Sequence, residues 1–235
     1  MTPFYQDDYI TIYHGDCKII LPTLIGVRSI VGDPPYGMNN NTNFQRFSGG
    51  TRGHGGVGRD YKVGIVGDDK PFDPSHLLGY QNVLLFGYHH FAKELDTGSV
   101  LVWIKRFDKA FGSFLSDAEL AWFNRGHGVY CHRDLSINAI ANSRQHPTQK
   151  PVSLMRWCID RIKDPGLICD PYAGSGSTLV AAKELGLKAI GVELVEEYCE
   201  VAAKRVQGVT VMHPAFTAQP NKQNQAELLQ PGLWE

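Results

Sequence analysis

The chain has 235 residues and a mass of 26.1 kDa, enough for one domain with a sizeable core. Its 23 Lys and Arg against 24 Asp and Glu leave a net charge of −1, which excludes coating of nucleic acid by bulk charge but not a local basic surface. Apolar residues at 43% and charged residues at 20% describe a globular chain rather than a disordered one.

The start, MTPFYQDDYI, is acidic and lacks the shape of a signal peptide, so the expected location is cytoplasmic. Tyr9–Tyr13 is β-branched and aromatic and predicts a strand. Cys17–Leu24 predicts a short helix with Asp16 as N-cap. Ser29–Val31 predicts a buried strand running into Asp33-Pro34-Pro35-Tyr36. Asn82–Phe86 and Ser99–Ile104 are apolar runs of strand length, and Ala118–Phe123 is a weaker strand. Pro151–Ile162 predicts a helix with proline at its first position. Strand Leu167–Cys169, helix Ser177–Leu185, strand Ala189–Glu193 and helix Val195–Val206 follow. This alternation implies an α/β fold, a mostly parallel sheet covered on both faces. Val100–Ile104 is among the longest apolar runs, far short of the ~18 residues a membrane span needs, so no membrane partner is expected.

Two stretches break the rhythm. Residues 37–67 hold 9 glycines, with Arg46, Arg52, Arg59 and Lys62 against one acid, Asp60. A glycine-rich loop of that length in a compact domain is usually functional or mobile. The C-terminal stretch 214–235 is rich in Gln, Asn and Pro and reads as a flexible tail after a single domain of residues 1–213, with Trp234 as its candidate anchor. The five cysteines are scattered, with no Cys-x-x-Cys pair; they read as reduced thiols without a structural zinc. His89-His90 also reads as no metal pair, because neighbours on a strand point to opposite faces. Trp103 and Trp122 read as core, and Arg161 and Lys163 as solvated charges at a helix end.

Asp170-Pro171-Tyr172-Ala173-Gly174-Ser175-Gly176-Ser177-Thr178 follows a strand and opens a helix. Gly174 and Gly176 permit a tight turn and a close approach of backbone to ligand, and the helix start offers unpaired N–H groups. Glu193, 17 residues past Gly176, ends the next strand, where nucleotide-binding sheets place an acid on a ribose diol. A plain strand-to-helix turn reads equally well on the glycines alone. No Gly-Lys-Ser/Thr follows and residue 179 is Leu, so neither a phosphate loop nor a full dinucleotide fingerprint is present. A nucleoside without phosphate, such as S-adenosylmethionine, fits better.

Asp33-Pro34-Pro35-Tyr36 is stiffened by two fixed proline φ angles. It holds the Asp33 carboxylate and the Pro34 carbonyl as paired acceptors for the two N–H bonds of an exocyclic amine, and Tyr36 offers a ring to a base. A rigid loop with a surface acid is the plainer alternative.

Taken together the motifs resemble the β class of DNA amino-methyltransferases, in which the Asp-Pro-Pro-Tyr motif precedes the cofactor motif. His146-Pro147-Thr148-Gln149-Lys150-Pro151, Gly15-Asp16-Cys17 and Gly191-Val192-Glu193 fall in the family's order, and the resemblance runs from about residue 9 to 206. It implies a Rossmann-like three-layer sandwich with permuted motif order. It also implies N6-adenine methylation of base-flipped double-stranded DNA from S-adenosylmethionine. Asp33, Pro34, Pro35 and Tyr36 would be catalytic. Asp170, Tyr172, Ala173, Gly174, Ser175, Gly176, Thr178 and Glu193 would hold the cofactor, with Asp16, Cys17 and Lys150 at its edges. Tyr172 and Ser177 stand where the family usually has Phe and Thr. The family's separate recognition segment shrinks here to about 124–146, with Arg125, His132, Arg133 and Arg144. DNA contact would fall to these residues, to Arg46, Arg52, Arg59 and Lys62, or to a second subunit. A homodimer and a cognate restriction endonuclease stay open as partners. The alternatives are N4-cytosine methylation, an RNA or protein-amide methyltransferase, a nicotinamide oxidoreductase, and a catalytically silent DNA-binding module.

Overall fold

The computed structural model describes residues 1–39, 65–112, 116–136, 146 and 148–211. Their strands are β1 (Tyr5–Gln6), β2 (Ile10–His14), β3 (Val27–Gly32), β4 (Asn82–Phe86), β5 (Ser99–Ile104), β6 (Ala118–Phe123), β7 (Val129–Arg133), β8 (Leu167–Asp170) and β9 (Ala189–Glu193). They form one sheet in the order β1-β2-β9-β8-β3-β4-β6-β5-β7. The β2–β9, β9–β8, β8–β3 and β3–β4 pairs are parallel, as is β5–β7. Only β1 and β6 run against the rest.

The central strands are apolar on both sides because both faces are covered. In β4, Leu84 and Phe86 face one core while Val83 and Leu85 face the other. The first core is closed by α2 (Val152–Ile159), α3 (Ser177–Glu184) and α4 (Glu196–Gln207). Buried residues Leu154, Met155, Cys158 and Ile159 of α2 repeat at the spacing of one helical face. Tyr198, Cys199, Ala202, Ala203 and Val206 do the same in α4, which carries Glu196 and Glu197 in its first turn and Lys204 and Arg205 in its last, as the helix dipole favours. The second core is closed by α1 (Cys17–Ile20) and short 3-10 turns.

Three local readings need correction. The helix expected over Cys17–Leu24 divides into α1 and a 3-10 turn at Leu21–Thr23, where Pro22 supplies no N–H and the Thr23 hydroxyl donates to the Ile20 carbonyl at 2.7 Å. Pro151 is the N-cap of α2 rather than its first helical residue. His89 and His90 lie in a 3-10 turn, not a strand, and their rings sit 3.9 Å apart. The expected recognition stretch contributes β7, an edge strand with no clear sequence alternation. Trp103 and Trp122 are core residues as expected. The expected tail at 214–235 and most of the glycine-rich loop lie outside the described residues.

Candidate active site at the carboxyl edge of the sheet

After β3 the chain continues to β4 on one side, and after β8 to β9 on the other. The order reverses between β3 and β8, and ligands of open α/β sheets bind beyond the carboxyl ends at such a point. The register sets Ile30 beside Cys169 and Asp170 beside Gly191, so Asp33, Asp170 and Glu193 leave neighbouring strand ends together. His14 pairs with Glu193, which brings Gly15 and Asp16 to the same edge. These ends line one cleft. Of the residues expected at the cofactor, Asp16, Cys17, Lys150, Asp170, Tyr172, Ala173, Gly174, Ser175, Thr178 and Glu193 line it, together with Asp33, Pro34, Pro35 and Tyr36. Gly176 lies behind the lining, at φ +77°, where an added Cβ would come within 2.9 Å of the Ala202 Cβ. Only glycine brings α3 this close to α4 at this backbone angle.

The first half of the cleft is organised by backbone groups. Glu193 accepts from the N–H of Gly174 at 2.7 Å and of Val195 at 2.8 Å. The carboxylate thereby fixes the glycine turn, and burial raises its pKa. Asp170 accepts from the N–H of Tyr172 at 3.0 Å. It is 3% exposed, and burial pushes its pKa up to about 7 despite that hydrogen bond. Asp16 caps α1 by accepting from the Lys18 N–H at 2.8 Å. The Tyr172 hydroxyl contacts His76 Nε2 at 3.0 Å. His146 packs edge-on against Tyr198 with ring centroids 4.3 Å apart, and burial with the nearby Lys150 charge pulls its pKa down to about 4. Its imidazole is therefore neutral.

The second half is a charge array. Asp33 accepts from the Tyr36 hydroxyl on one oxygen and pairs with the Lys150 ammonium on the other. Lys150, expected at the cofactor's edge, thus points at the Asp-Pro-Pro-Tyr motif. Its ammonium also lies 3.2 Å from Glu119 and 5.2 Å from the centre of the Phe86 ring. Glu119 in turn receives Lys105 at 2.7 Å. Burial pushes the Asp33 pKa upward, against the pull of Lys150. Burial raises Glu119 too, but Lys150 and Lys105 outweigh it and bring its pKa down to about 2. Burial lowers Lys150, yet Asp33 and Glu119 together lift its pKa to about 12. The ammonium is charged and shared by two carboxylates.

Tyr36 is held from several sides. Its ring stacks on His90 at 4.9 Å and 14°, which covers one face. Gly87, at φ +80°, makes room for it, since a Cβ there would fall 2.1 Å from Tyr36 Cε1. Asp68 accepts from the N–H groups of Tyr36, Gly37 and Met38 at 3.1, 2.9 and 3.1 Å, which pins the turn after the two prolines.

The expected DNA-contact residues are more dispersed. Antiparallel β6 starts at the carboxyl edge and returns the chain to the amino edge, so Arg125 lies away from the cleft, with its guanidinium on the Gln81 carbonyl. Arg133 ends β7 at the carboxyl edge, paired with Asp108 at 2.6 Å. His132 is stacked on Trp157 at 4.9 Å. Arg161, expected to be a solvated charge, lies over the Tyr130 and Trp157 rings at 4.4 and 4.9 Å. Arg46, Arg52, Arg59, Lys62 and Arg144 lie outside the described residues.

Sequence reading missed Glu119, Asp68 and His90. Glu119 carried a signal: on the period-2 alternation of β6 it shares a face with the buried Ala121 and Phe123. An acid on a core face needs a partner. Asp68 and His90 act over distances of 20 or more residues and left no local pattern.

The acids Asp16, Asp33, Asp68, Asp170 and Glu193 outnumber the one lysine among the lining residues, and that lysine is already paired. Such a donor set fits a cationic nucleoside without phosphate and disfavours a nucleotide. Residues 124–204 match the family model described as DNA methylase. The chain is 41% identical over 70 residues to the putative methylase YubD of Escherichia coli (strain K12), covering 29% of this chain and 31% of that protein. This chain resembles the DNA amino-methyltransferases. It is also 34% identical over 119 residues to the type II methyltransferase M.HindIII of Haemophilus influenzae, covering 49% of this chain and 38% of the relative. It spans less than half the length of either curated relative. The crystal structure of the M1.HpyAVI–SAM complex shares the fold, with a TM-score of 0.51 and 21% identity over 83% of this chain and 99% of that one. The expected α/β methyltransferase fold with its permuted motif order is therefore present.

Proposed function

We propose that the protein transfers a methyl group from S-adenosylmethionine to the exocyclic N6 amine of adenine in double-stranded DNA. The observation that carries this reading is the placement of a half-buried carboxylate, Asp33, one strand away from the acid Asp170 in a single acid-lined cleft. The DNA methylase match and the type II relatives support DNA as substrate, and the SAM-bound neighbour supports the cofactor.

When bound, S-adenosylmethionine supplies a methyl group carried on a cationic sulfur. Glu193 and Asp16 would hold its ribose side, and Asp170 its ammonium. The target base must leave the duplex, at a cost of a few kcal/mol. Tyr36, which lines the cleft, would stack on it. Each carboxylate oxygen accepts two hydrogen bonds, so Asp33 has capacity left for an amine N–H beside Tyr36 and Lys150. The Pro34 carbonyl takes the second N–H. Holding both bonds in this way localises the nitrogen lone pair toward the methyl carbon. The bound cofactor would supply its methyl carbon to that nitrogen, its sulfur keeping the electron pair of the bond that breaks. Positive charge grows on nitrogen beside fixed acceptors, a preorganised stabilisation. The proton then leaves nitrogen, and Asp33, with its proton affinity raised by burial, is placed to take it.

Labelled S-adenosylmethionine, unmethylated genomic DNA and nucleoside mass spectrometry test the reading. N6-methyladenosine supports it. Label only in N4-methylcytosine keeps the chemistry and overturns the base. No label in DNA, with cofactor bound, overturns DNA as substrate.

A further inference from the structure

We propose that Glu119 is a positioning residue that shares the Lys150 ammonium with Asp33 and so keeps the potential offered to the cleft negative. The role rests on the reading of Asp33 as the amine acceptor. Four elements build the array. Asp33 follows β3, Lys150 precedes α2, Glu119 lies on β6, and Lys105 follows β5. Glu119 reaches the carboxyl edge because β6 is antiparallel to β4 and β5: its first residues lie beside the last of β5, with Glu119 opposite Trp103. The Lys150 ammonium stands between the two acids. The Lys150 carbonyl accepts from the Ser177 hydroxyl at 2.7 Å, and the ammonium sits over Phe86.

The charges decide what Glu119 does. Asp33 and Lys150 alone form a closed pair, and the ammonium cancels the potential that Asp33 offers an incoming amine. Methyl transfer makes that amine positive, so an uncancelled cation beside it is unfavourable. Glu119 supplies the missing negative charge, and Lys105 at 2.7 Å keeps the four-group array neutral. The other groups facing Asp33 are the Tyr36 hydroxyl and the Asp170 carboxyl, and neither can substitute: the first is a neutral donor, and the second already accepts from Tyr172.

Two variants move the array in opposite directions. In Glu119→Gln the ammonium belongs to Asp33 alone, so the Asp33 carboxyl titrates at lower pH than in the parent. In Lys105→Gln the freed Glu119 draws Lys150 away, so Asp33 titrates at higher pH. Both are read by ¹³C NMR of aspartate-labelled protein, with Asp33→Asn identifying the resonance. Methyl transfer by Glu119→Gln is expected to fall at least about tenfold in kcat, with S-adenosylmethionine affinity unchanged and partial rescue in Glu119→Asp. Shifts of the same sign in both variants, or none, overturn the proposal. So does a kcat loss matched by an equal loss of cofactor affinity. If Glu119→Gln fails to fold, the sign of the Lys105→Gln shift decides. If the parent protein transfers no methyl group, the function proposed above fails while the titrations still decide whether Glu119 governs Asp33.

Discussion

The two halves of the cleft are built in different ways. Around Gly174 and Glu193 the parts are neighbours in sequence, held by backbone N–H groups and a helix start. Around Asp33 the parts come from residues 33, 36, 105, 119 and 150 and are held by charge. The first half depends on its glycines and on the carboxylates that hold its backbone. The second depends on each charge it contains, because removing one partner leaves another buried and uncompensated. The family match over 124–204 covers the glycine turn, Lys150 and Glu193, and leaves Asp33 and Glu119 outside.

The contrast makes graded predictions. Asp33→Ala is expected to abolish methyl transfer, a loss of about a thousandfold or more, as measured by incorporation of labelled methyl groups into DNA. Asp170→Asn acts on stability. The Asp170 pKa is about 7 in the folded protein against the ordinary 3.8 of an aspartate, so between those values the folded state holds a proton that the unfolded state has released. Stability from this group therefore falls as pH rises through that window, and the cost is complete above pH 7. Asp170→Asn is expected to be the more stable protein at pH 8, on the order of 3 kcal/mol by denaturant titration, with no difference near pH 3. Gly176→Ala places a Cβ against Ala202 at an unfavourable φ and should cost about 2 kcal/mol of unfolding free energy. Gly87→Ala displaces the Tyr36 ring and should lower kcat about tenfold by loosening base stacking, with unfolding free energy measured in parallel to separate the two effects.

The same division explains what the sequence made legible. Strands β4, β5, β6 and β9 match the predicted runs at both ends, because apolar patterning and punctuation are local. The glycine turn was readable for the same reason: glycines, a helix start and an acid lie within 24 residues of one another. The Lys150 contact with Asp33 spans 117 positions. It depends on β8 and β3 becoming neighbours, which no local pattern announces. Glu119 fell in the weakest predicted strand, and its role depends on that strand running backwards. That Tyr36 and Lys150 already occupy one site on each Asp33 carboxylate oxygen left no mark in the local sequence.

Calorimetric titration of S-adenosylmethionine into Asp33→Ala and Asp170→Asn proteins at pH 8 tests the division most directly. Asp33→Ala is predicted to bind with parental affinity, and Asp170→Asn to lose at least about tenfold, one charge-assisted contact to the ligand's ammonium. Equal losses in both variants, or full affinity in Asp170→Asn, would contradict a cleft with separate binding and chemical halves.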